Sequence, residues 1–281
     1  MSHGFAGLRV AAFESRMAEE MSRLIERYGG QPLVAPSMQE IPLQDNSDVL
    51  EFGRRLFAGD VDMVILLTGV GTKAMVEVLL TRDDLDRIKS ALARTTLVVR
   101  GPKPKAVLRE LDLTPTIEVP EPNTWRDILQ TLDRAKPVNG LRIAVQEYGV
   151  TNTELIEALR GRGAQVTRVP VYRWTLPDDL APLRRVLDAI LEGRVDVLLI
   201  TNAVQVDHAL QVLAQTSRQD RFRQTLSRLM VASIGPTATE RLHSYGFPVD
   251  LEPSHPKMGI LVKESAERAT EILQNKRAAL T

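Results

Sequence analysis

The chain contains no cysteine in 281 residues, which excludes disulfides, thiolate nucleophiles and cysteine-ligated metals. Histidine is almost as scarce. His3, His208, His243 and His255 lie far apart, and none belongs to a metal-binding pair such as H-x-x-x-H. Charge of one sign is also missing. Lysine plus arginine and aspartate plus glutamate each total 36, so the formal net charge is zero. Neither nucleic acid nor an anionic membrane surface is then an expected partner. No apolar run approaches the ~20 residues of a membrane helix, and no signal-like apolar core follows a basic patch. A cytoplasmic location is the expectation.

What the sequence does contain is a repeat. Leu8-Arg9-Val10-Ala11 returns as Leu141-Arg142-Ile143-Ala144. Gly59-Asp60-Val61-Asp62 returns as Gly193-Arg194-Val195-Asp196, and Gly101-Pro102 returns as Gly235-Pro236. The spacing between the copies is the same at all three landmarks to within one position. Three landmarks in one order at one period imply two similar lobes, and a cleft between lobes is a usual place for a small ligand. The length suits two domains, each with its own core. With 43% apolar and 26% charged residues, the composition is that of a globular protein.

Short apolar runs alternate with helix-spaced segments in both copies. In the first copy, strands are expected at 8–13, 32–35, 63–67 and 97–99. Helices are expected at 17–25, 49–57, 70–80, 85–92, 107–111 and 125–132. The second copy repeats the pattern, with strands at 143–146, 166–169, 197–200 and 231–234 and an extra polar helix near 219–229. The expected fold class is α/β, with two similar lobes whose parallel sheets are covered by helices on both faces. Residues 35–43 and 168–177 break the rhythm. They carry Pro36, Pro42, Pro170 and Pro177 at matching places, and they are expected to link the lobes.

Ligands of parallel α/β sheets bind beyond the carboxyl ends of the strands. Three matched pairs of turns fall there. The first is Glu14-Ser15-Arg16 with Glu147-Tyr148-Gly149 and Thr151-Asn152. The second is Thr68-Gly69-Val70-Gly71-Thr72-Lys73 with Thr201-Asn202-Ala203-Val204-Gln205. The third is Arg100-Gly101-Pro102-Lys103 with Gly235-Pro236-Thr237. Small and hydroxyl residues opening a helix expose N–H groups suited to carboxylate or phosphate, and they also serve as plain helix caps. Gly69 to Ala74 fits G-x-G-x-x-A, but it follows the wrong strand of its lobe for a dinucleotide site. Tyr172 lies in the second connector. Its hydroxyl is a candidate weak acid and its ring a candidate packing element.

At these residues the chain resembles uroporphyrinogen-III synthase over about residues 8–275. The most specific segments are Val169-Pro170-Val171-Tyr172-Arg173, Leu198-Leu199-Ile200-Thr201-Asn202-Ala203-Val204 and Ala232-Ser233-Ile234-Gly235-Pro236-Thr237. The resemblance implies a discontinuous lobe of 1–37 plus 175–281 and a second lobe of 42–170. It also implies a two-stranded connector from 37–43 and 169–176, and a cleft between lobes. It implies cofactor-independent cyclisation of hydroxymethylbilane with inversion of the last pyrrole, in a monomer that uses no metal. The six turns would hold the substrate's carboxylates, and Tyr172 would assist hydroxyl departure. One departure stands out: the family usually has threonine three residues after the last motif's glycine, and this chain has Ala238. That leaves a non-catalytic tetrapyrrole-binding sensor or regulatory domain as one alternative. A two-lobed solute-binding protein is a second, and a nucleotide-dependent enzyme a third.

Overall fold

A computed structural model describes residues 4–42, 46–147, 149 and 151–278. The chain divides into two compact units, residues 1–39 with 175–281 and residues 40–174.

The first unit is built on β1 (Arg9–Ala12), β2 (Gln31–Val34), β10 (Val197–Ile200) and β11 (Met230–Ser233). All are parallel, in the order β11-β10-β1-β2. Successive side chains enter opposite cores. Val10, Ala12, Val197 and Leu199 meet Met21 and Ile25 of α1 (Ala18–Arg27) and Leu261 and Val262 of α12 (Met258–Ala278). Ala11, Leu198 and Ile200 meet α8 (Ala181–Leu191), α9 (Ala203–Ala214), α10 (Gln219–Leu226) and α11 (Pro236–Ser244). A strand covered on both faces has no polar side, which is why the central strand β10 reads Val-Leu-Leu-Ile, buried throughout.

The second unit has β4 (Met63–Leu66), β5 (Thr96–Val99), β6 (Ile117–Glu118), β7 (Arg142–Gln146) and β8 (Gln165–Val169). They too are parallel, ordered β6-β5-β4-β7-β8. One face is covered by α2 (Ser47–Ala58), α3 (Gly69–Leu79), α4 (Leu85–Ala93) and α5 (Pro102–Glu110). The other is covered by α6 (Trp125–Ala135) and α7 (Thr153–Gly161). The proline-bearing stretches contribute a separate two-stranded sheet, β3 (Gln39–Pro42) with β9 (Tyr172–Thr175).

Two expectations change. The helix near 219–229 is not extra: α10 follows α4 at the same spacing that separates Gly101 from Gly235, and so it completes the repeat. Strand β6 has no counterpart in the sequence reading, since two residues at a sheet edge are too few to show a periodicity.

The repeated landmarks at the amino ends of the strands are structural latches. Asp196 accepts Arg9 N and Nε, both at 3.0 Å. Asp62 accepts Arg142 N at 2.8 Å and Nε at 3.0 Å. Among the described residues no helix is long and apolar enough to cross a membrane.

Candidate functional site

The carboxyl end of each sheet carries its own set of turns. In the second unit, β4 runs into Thr68, the N-cap of α3, whose Oγ1 accepts Gly71 N at 3.0 Å. The Thr72 hydroxyl donates to Thr68 O at 2.8 Å. Beside them, fully buried Gln146 ends β7, and its Oε1 accepts Leu67 N and Thr68 N, each at 3.3 Å. Gly71 makes room for that amide, because a Cβ there would lie 2.0 Å from Gln146 Nε2. Gly69 allows α3 to approach α5, since its Cβ would lie 2.9 Å from Lys103 O. With these bonds made, the N–H groups of Gly69 and Val70 meet no acceptor among the described residues. They are the ordinary orphan donors of a helix start.

The Arg100 turn leads through Gly101 into α5, with Pro102 at its first position. Asn123 holds this turn by donating its side-chain amide to Arg100 O at 2.6 Å and Val119 O at 2.9 Å. Proline offers no N–H, so Gly101 and Lys103 supply the main-chain donors here. The Lys73 side chain belongs elsewhere: it is exposed one turn into α3 and lines a groove with Leu80, Leu85, Val107 and Leu111.

At the end of β7, Glu147 is buried and paired with Arg168, at 2.8 Å to Nε and 3.0 Å to Nη2. Thr151 Oγ1 donates to the same carboxylate at 3.3 Å. Asn152 caps α7 by accepting Leu155 N at 2.8 Å. Gly149 has φ +68°, and a Cβ there would lie 1.8 Å from Trp174 Cδ1, so only glycine fits. Tyr148 lies outside the described residues. The Tyr172 ring is 5% exposed, sits in the core shared with α2 and α3, and meets Trp174 edge-on at 5.6 Å.

In the first unit, β10 runs into Thr201 and Asn202, the N-cap of α9. Gln205 Oε1 accepts Thr201 N at 2.9 Å and Asn202 N at 3.3 Å, while its Nε2 donates to Thr201 Oγ1 at 2.8 Å. The Thr201 hydroxyl in turn donates to Glu14. Asn202 Oδ1 accepts Val204 N at 2.9 Å, which leaves Ala203 N without an acceptor among the described residues. Ser15 Oγ accepts Met38 N at 3.2 Å, and Arg16 is exposed. His208 is buried and bonds Ser37 O through Nδ1 at 2.7 Å, so it anchors the segment after β2.

Gly235 caps α11, Pro236 opens it and Thr237 is exposed beside it. Ala238 faces the core and is 2% exposed. The next hydroxyl, Thr239, donates to Glu252 at 2.5 Å and meets Ser233.

The structure thus gathers Thr68 to Gly71 with Gly101 and Lys103 in one unit. It gathers Ser15, Thr201 to Gln205 and Gly235 to Thr237 in the other. Each set mixes N–H donors with a carboxylate that is itself held: Glu147 by Arg168, and Glu14 by the Thr201 hydroxyl and Met17 N. Two contributors are absent from the sequence reading. Gln146 closes an apolar strand with one polar residue, a local hint that was available. Arg168 is one of many arginines, and nothing local marks it.

A sequence model of the family described as Uroporphyrinogen-III synthase HemD matches residues 19–263. The uncharacterized protein YjjA of Bacillus subtilis (strain 168) is 27% identical over 269 residues, covering 95% of this chain and 98% of that protein. A mutant uroporphyrinogen III synthase of Thermus thermophilus is similar with a TM-score of 0.69 and 25% identity, covering 98% of this chain and 99% of that one. The uroporphyrinogen-III synthetase of Helicobacter pylori 26695 shares the fold alone, with a TM-score of 0.50 and 11% identity over 98% of this chain and all of that one. A family match across most of the sequence, agreeing with a likeness of structure along nearly its whole length, means that this chain belongs to the uroporphyrinogen-III synthase family.

Proposed function

We propose that this chain converts hydroxymethylbilane to uroporphyrinogen III. The observation that carries the reading is the family match over residues 19–263. The chemistry of the turns agrees with it. A linear tetrapyrrole bearing many carboxylates needs many anion contacts that tolerate different angles, and main-chain N–H groups at helix starts supply them. Gly69, Val70, Gly101 and Lys103 offer such groups in one unit. Ala203, Gly235 and Thr237 offer them in the other.

The reaction itself asks little of any one side chain. The hydroxyl leaves the hydroxymethyl carbon as water, and the substituted α-carbon of the last pyrrole attacks the resulting cation to give a spiro intermediate. The bond from that carbon to its original methylene then breaks, and the freed methylene cation rejoins at the ring's unsubstituted α-carbon, which loses its proton. The protein's task is to hold the flexible chain in a ring-like shape and to keep water from the cation. Tyr172 is proposed to assist hydroxyl departure through its phenol. Its ring lies in the second unit's core.

Ala238 is the residue that favours a non-catalytic binder. Its side chain is packed in the first unit's core, so exchanging threonine for alanine there changes packing rather than the ligand surface. The deciding experiment supplies hydroxymethylbilane to the purified chain and resolves the porphyrin isomers after oxidation. Type III product, formed without added metal or nucleotide, supports the reading. Only the spontaneous type I isomer at saturating protein would overturn it.

A further inference from the structure

Two buried glutamines perform one task from different sides of their turns. Gln205 is the third residue of α9 and folds back over the turn that precedes its own helix. The third residue of α3, the equivalent place in the other copy, is Gly71. There the amide comes instead from Gln146, on the neighbouring strand. The place equivalent to Gln146 in the first unit is Phe13, as Leu8 aligns with Leu141, and Phe13 is buried in the core. Both glutamines belong to the second copy, so the exchange is one of element between the two units: the glutamine stands on α9 in the first and at the end of β7 in the second.

What survives the exchange is the position of the acceptor. Gln205 receives the N–H groups of Thr201 and Asn202. Gln146 receives those of Leu67 and Thr68, which are the same two positions of the repeat. The two arrangements are also mutually exclusive within one unit. A Cβ at Gly71 would lie 2.0 Å from Gln146 Nε2 and 2.8 Å from Thr68 Oγ1. Packing alone does not demand an oxygen at this point. The two N–H groups, buried or half-buried, do, because unsatisfied donors are costly. Turning these two N–H groups inward leaves the following ones, Gly69 and Val70 in one unit and Ala203 in the other, for a ligand.

We infer that Gln146 and Gln205 are the positioning residues of the two ligand-binding turns, and that Gly71 with Gln146 is one exchangeable unit. The inference rests on the proposed use of those turns to hold the substrate's carboxylates.

The test uses the full chain with Gln146→Met, Gly71→Gln, Gln146→Phe and the double variant Gly71→Gln/Gln146→Phe. Methionine keeps the side-chain length and removes the acceptor. Its KM for hydroxymethylbilane should rise about tenfold while kcat stays within about twofold. Gly71→Gln and Gln146→Phe alone should each melt lower than the parent, by about 4 °C or more. The double variant copies the first unit's arrangement, and it should recover both melting temperature and KM to near the parent's. A lowered melting temperature with unchanged KM in Gln146→Met would reduce Gln146 to a structural residue. A double variant worse than either single would refute the exchange.

Melting is measured without substrate, so the exchange stands or falls by it even if the parent makes no type III product. In that event the titrated probe is uroporphyrin, the stable oxidised macrocycle, and its Kd replaces KM. Weaker binding by Gln146→Met and recovery in the double variant would support the positioning role. Equal Kd for all variants would overturn it.

Discussion

Arg142 closes on Asp62 with main chain and side chain together: its N and Nε both donate to Oδ2, at 2.8 and 3.0 Å. The second carboxylate oxygen receives Arg142 Nη2 at 2.8 Å. Arg9 and Asp196 repeat the arrangement in the other unit. These latches sit at the amino ends of the strands, opposite the turns, so their recurrence serves folding rather than binding.

The latch has a pH signature. Hydrogen bonds from the Arg142 side chain, then from its backbone, hold the Asp62 carboxyl at a pKa of about 2, below the ordinary 3.8. A lowered folded-state pKa contributes stability that is present above the unfolded value and lost as pH falls from about 3.8 through about 2. Asp62→Asn should therefore melt a few degrees below the parent at pH 7, and the gap should close as pH approaches 2. Thermal melts across that range check it. A gap that does not change with pH would mean that the charge contributes nothing.

Tyr172→Phe removes only the phenol oxygen. If the hydroxyl assists departure, kcat should fall roughly 10²-fold or more. Tyr172→Ala should instead destabilise by about 3–5 kcal/mol, because it empties a packed site beside Trp174. Unchanged kcat in the phenylalanine variant would leave the ring with its packing role alone.

Ala238→Thr restores the residue usual in the family. Ala238 is buried against the first unit's core, so the larger, polar side chain should cost about 1–3 kcal/mol. No gain in turnover is expected. A rise in kcat with unchanged stability would show that position 238 reaches the ligand after all.

Strand pairing makes residues 40–174 a complete sheet with helices on both faces. That segment is expected to melt cooperatively by itself. Splitting the chain between Asn139 and Gly140 would instead part β7 from β4 and β1 from β10, leaving apolar strand edges open in both pieces. Calorimetry of the segment and of the two halves decides between them: cooperative halves and an unfolded segment would be the contrary result.

The turns themselves could be read in the sequence as helix starts. Thr68, Asn152 and Asn202 are N-caps as their residue types suggest, and Gly235-Pro236 opens a helix. Such features are local, and local physics sets them. Gln146 escaped because its task depends on a turn that follows another strand, and Arg168 because its partner Glu147 lies beside it only once β7 and β8 pair. Tyr172 had two candidate roles in sequence, and its burial among α2 and α3 residues is a property of the packed core.

By itself the sequence determined the α/β class and the two-fold repeat. Fully buried parallel strands must be short and apolar, and helices covering them must show a period near 3.6, so both patterns are printed in the residues. Which strand pairs with which was decided by the tertiary structure. Val10 and Ile143 are equivalent, apolar and interchangeable in pattern, and nothing local tells either which sheet to join. The latches do. Arg9 finds its aspartate in the second copy, at Asp196, and Arg142 finds its own in the first, at Asp62. Each sheet is therefore completed by strands from both copies, because a charged pair and a packed face are satisfied only by the partner that folding brings alongside.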